Sequence, residues 1–143
     1  MKTELLFEGE LWYVTDGVWV YGDHEAAGYA EGEGVARGDR IAGLMRWSNR
    51  PARREDGTWL TDIRGYIQTD DGGSVLLESR GRTVPERMPG EARDVICSVT
   101  FRTTHERYTW LNDVVGLLEA RLDPTSGRMN FRVFDCSNDL VAT

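Results

Sequence analysis

A chain of 143 residues, 40% hydrophobic and 10% aromatic, is long enough to bury one real core and suits a single domain over 1–143. Its formal net charge of −7 excludes the usual phosphate-backbone binder, because nucleic-acid recognition leans on clustered Lys and Arg. No run approaches the ~18 apolar residues of a membrane helix, and Met1-Lys2-Thr3-Glu4-Leu5 shows no charged-then-apolar leader, so a cytoplasmic protein without a membrane partner is expected.

Period-two alternation recurs along the chain, and no long stretch prefers the helical period. Leu5, Phe7, Leu11 and Tyr13 alternate with Glu4, Glu8 and Glu10, which predicts a first strand near 4–13. Val18, Val20 and Tyr21 belong to a short second strand, and a loop rich in Gly and Ala runs from Gly22 to Gly28. Inside that loop Asp23-His24-Glu25 has metal-ligating residue types. Neighbours in a strand or loop rarely converge on one ion, and no second histidine is close in sequence, so no metal site is expected.

Strands over 29–37 and 40–48 then form a hairpin turning at Gly38-Asp39. Pairing Arg37 with Arg40 puts Ala30, Gly32, Gly34, Ala36, Ile41, Gly43, Met45 and Trp47 on one small apolar face, with Glu31 opposite Arg46 on the other. Glycines inside strands mark bends or the close approach of another backbone, as closed barrels need. Asn49 to Gly57 is a polar loop. Its cluster Arg50-Pro51-Ala52-Arg53-Arg54 is followed at once by Glu55 and Asp56 and reads as solvated.

The segment from Gly57 to Gly81 reads as one long hairpin, with strands over 58–69 and 74–84 and a turn at Asp70-Asp71-Gly72-Gly73. If Asp71 and Gly72 are the central pair, Gln68 faces Val75, Tyr66 faces Leu77, Arg64 faces Ser79 and Asp62 faces Gly81. Asp62, Arg64, Tyr66, Val75 and Leu77 would then all point inward. Pro85 to Glu91 is the next connection, and Val95, Cys97, Val99 and Phe101 alternate with Ser98, Thr100 and Arg102. Thr103 to Asn112 crosses an end of the sheet. A last hairpin runs over 114–123 and 128–136, joined by Pro124-Thr125-Ser126-Gly127.

These segments amount to an all-β chain of eight or nine antiparallel strands. A barrel is preferred to a sandwich, because consecutive hairpins make a meander and closure removes exposed edges. Cys97 and Cys136 each sit in a predicted strand and form no Cys-x-x-Cys pair, which points to two buried thiols.

Gly34-x-x-x-Gly38-x-x-Ile41-x-Gly43, Arg46-Trp47-Ser48-Asn49, Asp56-Gly57, Asp62-Ile63-Arg64 and Thr69-Asp70-Asp71-Gly72, in that order, resemble a bacterial and fungal family, the domain of unknown function family 3237. Glu106-Arg107-Tyr108-Thr109-Trp110-Leu111-Asn112 resembles a second motif found in one branch of it. The resemblance implies a small antiparallel barrel and assigns no reaction. The family's Asp-x-Arg motif falls on Asp62 and Arg64. Many members carry an aromatic residue directly after the arginine, whereas this chain has Gly65 and then Tyr66.

Two charges among apolar neighbours are costly unless paired or used, which makes Asp62 and Arg64 the first candidate site. Their spacing of two puts them on one side of a strand, ~6–7 Å apart. Either they form a structural ion pair, or Arg64 grips an anionic or carbonyl oxygen while Asp62 orients it or acts as a base. Trp47, Tyr66, Tyr108, Trp110 and Asn112 would line the pocket as substrate-binding residues. The segment carrying Tyr108, Trp110, Asn112 and His105 could equally plug a barrel end. Asn49 either caps its loop or meets a ligand.

No Walker-type loop, His-Glu-x-x-His or Gly-x-Ser-x-Gly elbow is present, and Gly32-x-Gly34-x-x-x-Gly38 lacks dinucleotide spacing, so no cofactor is expected. Two functions remain open. One is a barrel that binds a small, partly apolar molecule, with cofactor-free isomerisation, cyclisation or elimination as its chemistry if it is an enzyme. The other is a structural or interaction protein with a filled lumen. A homodimer is compatible with either.

Overall fold

The computed structural model describes residues 1–85, 88 and 90–141. Its strands are β1 (Lys2–Tyr13), β2 (Val18–Tyr21), β3 (Ala26–Arg37), β4 (Gly43–Asn49), β5 (Ala52–Arg53), β6 (Trp59–Thr69), β7 (Ser74–Thr83), β8 (Arg93–Arg102), β9 (Val115–Leu122) and β10 (Arg128–Ser137). A 3₁₀ helix spans Glu106–Asp113. All strand pairings are antiparallel, and β1 pairs with β10 on one side and β3 on the other, which closes eight strands into a barrel. Around it the order β1-β3-β4-β6-β7-β8-β9-β10 is a meander, with β2 and β5 as extra strands beside β3.

The expected barrel is therefore the observed one, with local differences. The Gly- and Ala-rich loop is shorter than expected, because Ala26, Ala27 and Gly28 already belong to β3. The Asn49–Gly57 loop contains the two-residue strand β5. A bulge between Leu5 and Phe7 turns Leu5 outward and puts Leu6 in the core. Cys97 is buried, whereas Cys136 near the end of β10 is only half-buried. The connection expected over 85–91 includes Glu86, Arg87 and Pro89, which lie outside the described residues. Among the described residues no helix is long and apolar enough to cross a membrane.

Two hairpins depart from the expected register, with opposite consequences. In β3–β4 the pairs are Gly32↔Trp47, Glu33↔Arg46 and Ala36↔Gly43, two residues away from the expected alignment. A slip of two keeps every side chain on its face, so the inward set from Ala30 to Trp47 stands, and Arg46 meets Glu33 at 3.6 Å in place of Glu31. In β6–β7 the pairs are Ile67↔Val75, Gly65↔Leu77, Arg64↔Glu78 and Asp62↔Arg80. That is a slip of one, and it reverses β6. Ile63 and Ile67 fill the core with Val75 and Leu77, while Asp62, Arg64 and Tyr66 point outward, contrary to expectation.

The physical cause is the turn. Gly72 N–H donates to Thr69 O at 3.0 Å and Thr69 N–H to Gly73 O at 2.8 Å, leaving three residues in the loop. Gly72 takes the positive φ of 89° that such a turn with a bulge requires. The Thr69 hydroxyl stabilises it by donating to Asp71 and accepting from Gly73 N–H at 2.7 Å.

Two glycines, one on β3 and one on β6, flank the Trp47 position. Trp47 on β4 is flanked in register by Gly32 and Gly65; its indole covers the place of a Gly32 side chain, while the β4 backbone and the Trp47 Cβ occupy that of Gly65. A Cβ on Gly32 would lie 2.1 Å from the Trp47 ring, and one on Gly65 would lie 2.8 Å from Trp47 Cβ. The glycine at position 65 thus lets β4 approach closely at Arg46 and Trp47. The indole Nε1–H donates to Glu33 O at 3.0 Å, fixing the ring across the barrel wall.

Candidate functional site

The barrel has two unlike ends. One is closed by the segment 103–114. Leu111 is fully buried, and Tyr108 packs beneath the β6–β7 turn, donating from its hydroxyl to Asp71 at 2.8 Å. Arg107 pairs with the same carboxylate at 2.9 Å. Hydrogen bonds from Thr69 and Tyr108, together with the Arg107 charge, hold the Asp71 carboxyl below its ordinary value. Asn112 folds back on Thr103, accepting from its N–H at 2.8 Å and donating to its carbonyl at 3.0 Å. Trp110 lies under the Arg40 guanidinium, 3.6 Å from the ring centroid. These residues spend their polar groups on one another, so the segment acts as a plug.

The outward residues of β6 form no enclosed site. Arg64 reaches Glu78 only at 4.0 Å with both side chains more than half exposed, and Asp62 sits 3.4 Å from Arg80. Tyr66 and Arg64 border a shallow outer groove of about 290 Å³ with Glu31, Glu33, Arg46 and Ser48. A larger outer hollow of about 720 Å³ is floored by strands β1, β8, β9 and β10. Its charges neutralise each other in the pairs Arg37–Glu10, Arg121–Asp94 and Arg132–Glu119. The lumen is packed, with a void of only about 20 Å³ bounded by Trp47, Ser79 and apolar side chains. So the structure separates the expected site residues: Trp47 lies inside the barrel, Asp62, Arg64 and Tyr66 outside it, and Tyr108, Trp110 and Asn112 on the plug.

The other end is a mouth, where the interior turns polar. Thr61 and Thr83 join hydroxyls at 2.9 Å across β6 and β7. Ser79 Oγ is buried and has no hydrogen-bond partner among the described residues. Burial raises the Cys97 thiol pKa. Tyr13, last residue of β1, meets Trp47 edge to face with centroids 4.9 Å apart. Asn49 accepts from Asp62 N–H at 3.2 Å, which orients its amide, and the amide lowers the Tyr13 pKa in part. Burial is the main influence on Tyr13 and raises its pKa against the opposing pull of Asn49 and Arg93, so the phenol keeps its proton at neutral pH.

Above Tyr13 opens a cavity of about 650 Å³ whose walls include Trp19, Ala30, Arg93, Leu122 and the 124–127 turn. That volume falls in the ~300–1,000 Å³ range of small-molecule sites. A proton-bearing phenol in a cavity wall shared with an arginine and the Trp19 indole can donate to a carbonyl or anionic oxygen. Sequence reasoning overlooked Tyr13, Trp19 and Arg93. The signal for Tyr13 was present, since it ends the inward series of β1. Among the described residues no three His, Cys, Asp or Glu side chains gather as metal ligands would.

Fold and ends together define a small closed antiparallel barrel, plugged at one end and, among the described residues, open at the other. The chain belongs to the family described as protein of unknown function (DUF3237), whose model matches residues 49–136. No curated protein matches the sequence. Among solved structures it is similar to a beta-barrel like protein from Acinetobacter baumannii, at 16% identity and TM-score 0.80, covering 94% of this chain and 96% of that one. It is also similar to an enzyme from Penicillium herquei, at 21% identity and TM-score 0.70, with 93% of each chain covered. A protein with unknown function from Clostridium acetobutylicum matches at 19% identity and TM-score 0.77, over 96% of this chain and 100% of that one.

Proposed function

We propose that this protein is a small-molecule-binding barrel whose ligand sits in the mouth, held through an oxygen atom by the Tyr13 hydroxyl. The observation that carries this reading is the polar end left open among the described residues, where Tyr13 and Arg93 line a cavity of about 650 Å³. The ligand is partly apolar, because Trp19, Ala30 and Leu122 supply apolar surface to the cavity beside Tyr13. The nearly void-free lumen keeps it at the mouth and assigns no grip to Arg64. The description of the Penicillium herquei protein as an enzyme supports a catalytic extension. In it Tyr13 would act as the acid that stabilises an enolate-like oxygen during cofactor-free isomerisation, cyclisation or elimination.

The filled lumen also favours a second reading, a non-catalytic structural barrel. A thermal-shift screen with aromatic acids, phenols and small lactones separates the two. A ligand at a hundredfold excess over Kd stabilises the fold by about 2.7 kcal/mol, on the order of 5 °C for a domain of this size. Shifts should vanish in Tyr13→Phe and persist in Arg64→Met, and aliphatic amines should give none. Shifts that survive Tyr13→Phe, or an absence of shifts from every compound, would sink the mouth reading.

A further inference from the structure

Above the mouth stands a second cation. Strand β2, the first residues of β3, strand β5 and the start of β6 form a flap projecting past the rim. On its axis-facing side one cross-strand row runs Tyr21↔Ala26, Ala26↔Arg53 and Arg53↔Trp59. The Arg53 guanidinium carbon lies 5.7 Å from the ring centroid of Tyr21 and the same distance from that of Trp59. Trp59 meets Trp19 edge to face at 5.6 Å, and Trp19 lines the cavity. The aromatic wall of the mouth is thus continuous with the setting of Arg53.

Rings on two sides steady a guanidinium while leaving its N–H edge unused. Among the described residues the Arg53 side chain donates no hydrogen bond and joins no ion pair. Its neighbour Arg54 is engaged by Asp56 at 2.7 Å, and Arg37, Arg64, Arg80 and Arg107 also face carboxylates. In a chain with 24 acidic against 17 basic residues, an arginine held by rings and facing no carboxylate is suited to an anion from outside.

We propose that Arg53 is the anion-recognising residue of the mouth and that the site takes planar aromatic carboxylates. The ring packs along Trp19 and Trp59, and the carboxylate accepts from the Arg53 fork. This inference rests on the mouth being the ligand site, and it names the class of ligand. It also corrects the solvated-loop expectation at Arg53 alone, because β5 pairs with both β3 and β6 and draws this side chain onto the flap, while Arg50 and Arg54 stay exposed.

The test uses two probes of the same shape, 2-naphthoate and the neutral 2-naphthamide, titrated into the full chain with tryptophan fluorescence and calorimetry as readouts. Charge-assisted hydrogen bonds of this type should make naphthoate the tighter probe by roughly tenfold or more. Arg53→Met should bring naphthoate down to the affinity of naphthamide and so abolish that preference, and Arg53→Lys should keep part of it. Arg54→Met removes the same charge next door and should change nothing. Thermal melts confirm that each variant folds. Equal affinity for both probes in the unmutated chain, or a preference that survives Arg53→Met, overturns the role of Arg53. If naphthamide still binds and depends on Tyr13, only this inference falls. If neither probe binds, the mouth reading falls with it.

Discussion

Replacing Trp47 by Ala tests the link between packing and the site in one step. Trp47 is 4% exposed, its indole lies over Gly32, and its register partners on both sides, Gly32 and Gly65, carry no side chain. Neither can extend into the vacated space, so collapse around the cavity is limited. The hole would join the existing void of about 20 Å³ to the floor of the mouth. Large-to-small core changes of this kind cost ~3–5 kcal/mol, and poor collapse puts this site near the upper figure. Losing the indole donor to Glu33 O is included in that cost. Urea unfolding followed by circular dichroism should show the midpoint falling with an unchanged slope, and the melting temperature should drop on the order of 15 °C. A loss below about 1 kcal/mol would show that the indole does not fill the wall as described. The same variant should accept ligands with longer apolar tails, because the lumen would open beneath Tyr13.

Two further outcomes follow from the plugged end. Gly72→Ala should cost about 1 kcal/mol through backbone conformation alone, because φ is 89° and a Cβ there meets nothing within 4 Å; equilibrium unfolding checks it. Asp71 has a folded-state pKa below its ordinary value of 3.8, so its contribution to stability is complete above that value and is lost as pH falls through the lowered one. Asp71→Asn should therefore destabilise the protein at neutral pH and flatten the acid limb of its stability profile. Amide exchange over 103–113 should quicken in that variant at pH 7, and unchanged exchange would mean that the plug does not depend on this carboxylate.

Much of the fold was legible in the chain, because alternation of apolar and polar side chains along a strand records which face is buried. The meander, the hairpins, the small inward face from Ala30 to Trp47 and the capacity of 103–112 to plug an end were all written in local pattern. Register was not. The two-residue slip in β3–β4 did no harm, since side chains repeat every two residues, whereas the one-residue slip in β6–β7 reversed Asp62, Arg64 and Tyr66. Ile63 and Ile67 carried the contrary signal, and the Thr69 hydroxyl decided it by stabilising a three-residue loop where Asp-Gly suggested a two-residue one. The mouth lay further out of reach. Tyr13, Asn49, Arg93 and Arg53 come from four separate strands, and no local pattern records which strand ends share a rim. Only closure of the barrel brings β1, β4 and β8 to one opening and carries β5 above it, because hydrogen-bonded pairing around the whole circuit sets the stagger of every strand at once.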